Sequence, residues 1–179
     1  MEAAKKQAYE EFSHVDITPV REIAQDVLTE VSRVIVGMGD TLQNLFIALL
    51  VDGHVYLEGV PGLAKSVMAK TFAKTLGCTF RRIQFTPDLL PSDITGSMIY
   101  DQKVADFVVR KGPIFANFVL ADEINRCAPK TQAAMLEAMA EKQTTIEGVS
   151  HPMMKPFICV ATANPIEQEG TYNQLATLI

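Results

Sequence analysis

The sequence predicts a three-layer α/β domain in which a parallel β-sheet lies between two layers of helices. Three observations lead to this prediction. From residue 55 onward, short apolar segments alternate with segments of helical periodicity, as in parallel strands joined by helical crossovers. Residues 118–121 are apolar throughout, as expected for a strand that is buried on both faces. The 179 residues are 48% hydrophobic, which is enough for one domain with a substantial core.

Two capped helices are predicted before the first strand, and a charged, mostly solvated helix over residues 2–13 precedes them. Thr18 is the expected cap of the first helix, Pro19 should lie in its first turn, and the helix should end near Val31. Either Asp40 or Thr41 should cap the second helix. The apolar residues of this second helix recur at the spacing of an amphipathic helix, and they are Leu42, Leu45, Phe46, Leu49 and Leu50.

The later elements follow the alternating rhythm. The predicted strands are residues 55–58, 80–85, 117–121 and 157–162, and the predicted helices are one that ends near Gly77 and one over residues 129–141. Two regions interrupt the rhythm and are predicted to be β-hairpins. The first joins residues 97–100 to 106–110, and the second joins 143–146 to the segment after Gly148; an irregular surface loop is the alternative for each.

Charge, cysteine content and the N-terminal sequence limit the class of protein. The net charge is −5 and the pI is about 5.2, so duplex nucleic acid is not an expected partner. Cys78, Cys127 and Cys159 lack metal-ligand spacing and are expected to be reduced core thiols. The sequence shows no apolar signal-peptide core and no apolar run long enough to span a bilayer. We therefore expect a soluble, cytoplasmic protein without membrane insertion.

The segment between the first predicted strand and the next helix has the composition of a phosphate-binding loop. It consists of Gly59, Val60, Pro61, Gly62, Leu63, Ala64, Lys65 and Ser66. Backbone N–H groups of such a loop point at phosphate oxygens, the lysine reaches the terminal phosphates, and the hydroxyl binds magnesium. Ala64 stands where the pattern G-x-x-x-x-G-K-[ST] has its second glycine, so an ordinary strand-to-helix turn is the alternative.

Polar residues follow two of the predicted strands, at the sheet edge where ligands bind in such folds. Asp122 would hold magnesium together with Ser66, and Glu123 would orient the water that attacks the γ-phosphate. Asn164 follows the last predicted strand and is expected to sense the γ-phosphate. The alternatives are an exposed acidic pair that caps a helix and, for Asn164, a turn residue before Pro165.

Five segments together resemble the MoxR-type AAA+ ATPases. They are residues 59–66 (GVPGLAKS), 82–96 (RIQFTPDLLPSDITG), 112–117 (GPIFAN), 120–126 (LADEINR) and 164–172 (NPIEQEGTY). The resemblance runs from about Val34 to Tyr172, and the family accepts alanine at the position of Ala64.

The resemblance implies a P-loop AAA+ core with two β-hairpin inserts that binds ATP with Mg²⁺. ATP hydrolysis would drive chaperone-like remodelling or maturation of partner proteins, in a ring that is commonly a hexamer. A partner with a von Willebrand factor A domain is also implied. The implied catalytic residues are Lys65, Glu123 and Asn164, and the implied magnesium ligands are Ser66 and Asp122. The residues implied to contact the nucleotide are Val36, Gly37, 59–64, Lys65, Ser66 and Val67.

After Tyr172 the sequence departs from the family pattern. We expect an N-terminal helical segment over residues 1–33, an incomplete AAA+ core over 34–172 and a divergent tail over 173–179. The N-terminal segment should brace the core rather than dock a partner. No arginine follows Arg126, and we expect the core to lack the fifth strand, the helical lid and the arginine finger. Loss of the fifth strand should lower stability relative to a longer relative, because it exposes a sheet edge.

Two functions stay open on the sequence alone. The chain is either an ATPase or an ATP-binding module with little intrinsic hydrolysis, because an arginine finger can contribute 10³–10⁵ in rate. Arg126 either faces a neighbouring subunit as a substitute interface arginine or pairs with Glu123 or another carboxylate. A DNA-associated motor is a weaker third possibility, which the acidic net charge disfavours.

Overall fold

The computed structural model describes residues 16–58 and 65–163 of the chain. The helices are α1 (Thr18–Ser32), α2 (Gly39–Leu50), α3 (Lys65–Thr75), α4 (Pro91–Thr95) and α5 (Pro129–Glu141), and a short 3₁₀ turn spans Ile124–Arg126. The strands are β1 (Val55–Glu58), β2 (Phe80–Gln84), β3 (Gly96–Asp101), β4 (Asp106–Lys111), β5 (Phe118–Asp122), β6 (Gln143–Ile146), β7 (Val149–Pro152) and β8 (Ile158–Ala163).

The central sheet is parallel and has the strand order β1-β8-β5-β2. Each neighbouring pair is separated in sequence by at least one helix, as parallel pairing requires. In the described part of the chain, β1 therefore lies at one edge of the sheet and β2 at the other. The three-layer α/β fold that the sequence predicts is confirmed.

Both faces of the sheet are covered by helices. On one face, Leu120 and Val160 belong to a core that includes Val31 of α1, Leu45 of α2 and Phe72 of α3. On the opposite face, side chains of the alternate strand positions pack against α4 and α5, among them Val119, Ala121, Cys159, Ala161, Ile94 and Met135. This alternation explains why β5 and β8 are buried almost throughout.

Phe72 is the residue whose truncation should cost the most stability on the α1–α3 face. Its side chain is fully buried, and its ring lies 6.3 Å from that of Phe46 and 5.8 Å from that of Phe118. We expect Phe72→Ala to lower the free energy of unfolding by about 3–5 kcal/mol. Urea unfolding would measure the loss, with Phe107→Ala as the control because Phe107 is 60% exposed. Equal losses for the two variants would contradict this packing.

The two helix caps predicted from the sequence are wrong. Helix α1 begins at Thr18 itself, and the carboxylate of Asp16 accepts the Thr18 N–H at 2.9 Å, so the acceptor lies two residues earlier. Helix α2 begins at Gly39, and the carbonyl oxygen of Met38 accepts the first helical hydrogen bond. Asp40 therefore lies in the first turn, where its charge complements the helix dipole.

The predicted apolar face of α2 is also too wide. Leu42, Leu45 and Phe46 are buried and Leu49 is partly buried, but Leu50 is 56% exposed. Eight residues turn an α-helix about 80° past two full turns, so Leu50 points well to the side of Leu42. The i+8 position thus falls outside the strip that the sheet covers.

Both predicted hairpins are confirmed. Strands β3 and β4 pair antiparallel from Gly96 opposite Lys111 to Asp101 opposite Asp106, directly after α4. Strands β6 and β7 pair antiparallel as well. The first hairpin requires glycine at its base, because Gly96 has φ +103° and a Cβ atom there would lie 2.2 Å from the carbonyl oxygen of Arg110.

The cysteines are free thiols, as predicted. Cys127 and Cys159 are buried, and burial raises the pKa of Cys127 to about 11 and that of Cys159 to about 12. Cys78 is partly buried and packs against the core on the α1–α3 face, so it lies at the margin of that core. In the described ranges, no helix is long and apolar enough to cross a membrane.

Candidate nucleotide and magnesium site

The candidate site lies at the carboxyl edge of the parallel sheet. Asp122 is the last residue of β5, and Glu123 follows it. Gln84, the last residue of β2, is directly opposite Asp122 in the neighbouring strand. On the other side, β8 runs alongside β5 and brings Thr162 to the same level. Ligands of open parallel sheets bind at this edge, so the fold places the acidic pair where the sequence predicts it.

The Asp122 carboxylate is held from both neighbouring strands. The Thr162 hydroxyl donates to Oδ1 at 2.6 Å, from β8. The Arg82 guanidinium donates to Oδ2 from β2, through Nε at 3.0 Å and Nη2 at 2.6 Å. Arg82 also donates to the side-chain oxygen of Gln84. The carboxylate therefore keeps a defined position between a buried hydroxyl and a half-exposed guanidinium.

Glu123 has an unusual backbone conformation. Its φ and ψ angles are 56° and 45°, which places a non-glycine residue in the left-handed region. The backbone N–H donates to the Thr162 hydroxyl at 3.0 Å. Its carboxylate oxygen Oε2 accepts hydrogen bonds from Gln84 Nε2 and Arg126 Nη1, each at 2.7 Å. Such strain persists where the surroundings hold the residue firmly, and it is concentrated at functional sites.

Helix α3 brings Lys65 and Ser66 toward the same edge of the sheet. Both residues lie in the first turn of α3 and are partly buried. Helix α3 packs through Phe72 on the sheet face that carries Leu120, and strand alternation puts Asp122 on that same face. Six residues connect the carboxyl end of β1 to Lys65. The first turn of α3, which carries Ser66, and the end of β5, which carries Asp122, thus belong to the same end of the same face.

For the other predicted site residues, the structure gives only a backbone angle or an exposed fraction, or does not describe the residue. Gly37 has φ +79° in the segment between α1 and α2, where Val36 is 88% exposed. Val67 is 50% exposed in the first turn of α3. The loop residues Gly59, Val60, Pro61, Gly62, Leu63 and Ala64, and also Asn164, lie outside the described residues. Contacts of all these residues with a nucleotide stay predictions.

Sequence reasoning missed Arg82, Gln84 and Thr162 as members of this site. Arg82 and Gln84 lie two residues apart on the short strand β2, so they share one face of it. Thr162 is a buried hydroxyl near the end of an otherwise apolar strand. A polar side chain at the carboxyl end of each strand was the available signal. Its use required knowing that β2 and β8 are the two neighbours of β5.

The residues present fit a magnesium ion. Mg²⁺ prefers hard oxygen ligands and usually keeps several waters, so one carboxylate and one hydroxyl suffice on the protein side. Asp122 and Ser66 supply these two oxygen types. Thr162 donates to the Asp122 carboxylate, which is the outer-shell arrangement that orients metal ligands.

Comparisons with known proteins identify the family. The sequence profile of the ATPase family associated with various cellular activities (AAA) matches residues 54–177. "Chaperone MoxR1" of Mycobacterium tuberculosis is 52% identical over 143 residues, which are 80% of this chain and 38% of that protein. The chain is a MoxR-type member of the AAA family of ATPases. The resemblance seen in the sequence is therefore confirmed.

Two further proteins are similar to this chain. "Uncharacterized protein YeaC" of Bacillus subtilis is 54% identical over 142 residues, covering 79% of this chain and 44% of that protein. A crystal structure of a "putative ATPase" from Cytophaga hutchinsonii superposes with a TM-score of 0.79 at 49% identity, covering 94% of this chain and 50% of that one. The chain thus spans about two fifths of the length of the curated relatives and half of the solved structure.

Proposed function

We propose that this chain binds ATP with Mg²⁺ at the carboxyl edge of its sheet, and that ATP hydrolysis there drives remodelling or maturation of partner proteins. The observation that carries the proposal is the Asp122–Glu123 pair. Asp122 lies at the carboxyl edge of the sheet, on the face against which the helix bearing Lys65 and Ser66 packs, and Glu123 follows it directly. Family membership supports nucleotide binding as the use of this edge.

Each residue has a distinct part in this proposal. The Lys65 ammonium group compensates phosphate charge, and backbone N–H groups of residues 59–64 contact phosphate oxygens. Ser66 and Asp122 hold Mg²⁺, which supplies charge neutralisation at the phosphates when it is bound. The Glu123 carboxylate orients the attacking water and accepts its proton, and Asn164 positions that water. Val36, Gly37 and Val67 line the nucleotide beyond its phosphates.

A second candidate function is ATP binding with little hydrolysis by a polypeptide of these 179 residues. One observation favours it. Gln84 and Arg126 both donate to the Glu123 carboxylate, so these hydrogen bonds must rearrange before it can act fully on water. The predicted pairing of Arg126 with Glu123 is confirmed at 2.7 Å, and its alternative role at a subunit interface stays a proposal.

Assembly and location are parts of the proposal that rest on family membership. We propose a homo-oligomeric ring, with six subunits by resemblance, that acts in the cytoplasm. Support for the chaperone-like role comes from the name of the relative MoxR1. A partner with a von Willebrand factor A domain and the absence of nucleic acid from the complex also belong to this proposal. The net charge of −5 supports the latter point.

Calorimetric titration with ATP tests the proposed binding. We expect saturable binding of ATP in the presence of Mg²⁺ and weaker binding in the presence of EDTA, because Ser66 and Asp122 then lose the ion that links them to the phosphates. GTP and ATP should be titrated in parallel to define the base preference. The absence of saturable binding of either nucleotide at millimolar concentration would contradict the proposed function.

A further inference from the structure

Thr162 makes a hydrogen bond to each member of the acidic pair. Its hydroxyl donates to Asp122 Oδ1 at 2.6 Å and accepts the backbone N–H of Glu123 at 3.0 Å. The residue lies in β8 and is only 2% exposed. A buried hydroxyl with these two partners links the side chain of the predicted magnesium ligand to the backbone of the predicted catalytic base.

The roles of the atoms in this link follow from their chemistry. A hydroxyl has one hydrogen to donate, and the Glu123 N–H can only donate, so the hydroxyl hydrogen goes to the Asp122 carboxylate. Threonine is branched at Cβ, which restricts χ1 and fixes the direction of the hydroxyl in a strand. Because β8 is buried, the group has little room to move. Thr162 thus provides a rigid contact for the acidic pair.

The Asp122 carboxylate has a buried partner on one side, Thr162, and a half-exposed partner on the other, Arg82. The sheet order places β8 between β5 and β1, the strand that leads into the predicted phosphate loop. Thr162 therefore holds Asp122 from the side of the phosphate loop. Arg82 holds it from β2, on the far side, and its side chain is 51% exposed. Without the Thr162 hydroxyl, the hydrogen bonds that remain among the described contacts of the Asp122 carboxylate would come from Arg82, on the β2 side.

We propose that Thr162 is a positioning residue for magnesium in this chain. Its hydroxyl keeps the Asp122 carboxylate toward the phosphate loop, and it keeps the Glu123 backbone in the left-handed conformation. This inference rests on the proposed function, because it assumes that Asp122 serves an ion bound with the nucleotide. Thr162 would thus set the position of the Asp122 carboxylate without touching the ion or the nucleotide.

Magnesium dependence of ATP binding tests the positioning role. Thr162→Val removes the hydroxyl at nearly constant shape, and Thr162→Ser keeps it. We expect the valine variant to need about 10- to 100-fold more Mg²⁺ for half-maximal ATP binding, because loss of outer-shell partners weakens metal sites by such factors. The serine variant should stay within about threefold of the wild type. Affinity for ATP in EDTA should be the same in all three.

Thr131→Val is the matched control for the loss of a buried hydroxyl. Thr131 is 1% exposed, and its hydroxyl donates to the carbonyl oxygen of Leu89 at 2.7 Å, which is not part of the acidic pair. This control should leave the magnesium requirement unchanged. An unchanged requirement in Thr162→Val, or equal losses in the valine and serine variants, would overturn the inference while ATP binding by the wild type still stood. If the wild type bound no ATP, the proposed function would fail and the magnesium role with it.

Amide hydrogen exchange of Glu123 tests the contact without any ligand. In the wild type and in Thr162→Ser, the Glu123 N–H should exchange slowly because it is donated to a buried hydroxyl. In Thr162→Val, exchange should be at least tenfold faster at this amide and unchanged in α5. If the valine variant does not fold, Thr162→Ala takes its place in both measurements. Slow exchange of Glu123 without the hydroxyl would contradict the proposed link.

Discussion

Replacing Lys65 with alanine should abolish measurable ATP binding, a loss of about 100-fold or more in affinity. The ammonium group is expected to meet the terminal phosphates, and hydrogen bonds to charged groups contribute about 1.5–3 kcal/mol each. A loss of this size corresponds to about 10- to 100-fold for a single bond, and Lys65 can make more than one to the phosphates. Titration of the variant with ATP and Mg²⁺ measures the loss directly.

Lys74→Ala is the matched control for this experiment. Lys74 is an exposed lysine in the last turn of the same helix. Its substitution therefore removes the same charge as Lys65→Ala, but at the other end of the helix. We expect its affinity for ATP to stay within about twofold of the wild type. Unchanged binding in Lys65→Ala would show that the loop preceding α3 does not bind phosphate in this chain.

Replacing Glu123 with glutamine should separate binding from hydrolysis. The amide has nearly the same shape but cannot accept a proton from water, so we expect ATP affinity within about threefold of the wild type. The rate of hydrolysis should fall by about 10²–10⁴, the usual contribution of a general base. Formation of ADP in acid-quenched single-turnover reactions is the measurement to use, because it reports cleavage of the phosphate bond whether or not the products have left the protein.

The same pair of proteins distinguishes the two candidate functions. Hydrolysis by the wild type that disappears in Glu123→Gln would establish this chain as an ATPase. Equally negligible rates in both, with tight binding in both, would favour the binding module. Glu141→Gln serves as the control, since Glu141 is an exposed residue at the end of α5. A fall in rate for Glu141→Gln as large as for Glu123→Gln would contradict a specific role of Glu123.

Much of the fold could be predicted because the local patterns are strong. The bounds of β1 and α5 match the predicted residues, since each has clear periodicity and distinct turn residues at its ends. The acidic pair could be placed at the sheet edge because it directly follows the apolar strand β5. The first hairpin follows from two strand-like segments on either side of a polar bend at residues 101–103, and the second from the turn at Glu147 and Gly148. These features depend on neighbours in sequence, which a single sequence shows.

The contacts around the acidic pair could not be predicted for a physical reason. Arg82, Gln84 and Thr162 reach Asp122 or Glu123 only because β2 and β8 flank β5, and strand order depends on contacts between distant segments. The misplaced caps have a different cause, because they depend on local contacts that several neighbouring residues could make. At the start of α1, the carboxylate of Asp16 provides the acceptor that was assigned to Thr18.

The most direct test of the account is a crystal structure of this chain with a non-hydrolysable ATP analogue and Mn²⁺ in place of Mg²⁺. Anomalous scattering then locates the ion independently of the refined atoms. We predict a manganese peak that the Ser66 hydroxyl coordinates and that Asp122 contacts directly or through one water, with the phosphates against residues 59–64. Phosphates bound elsewhere, or a manganese ion beyond the reach of both Ser66 and Asp122, would contradict the account.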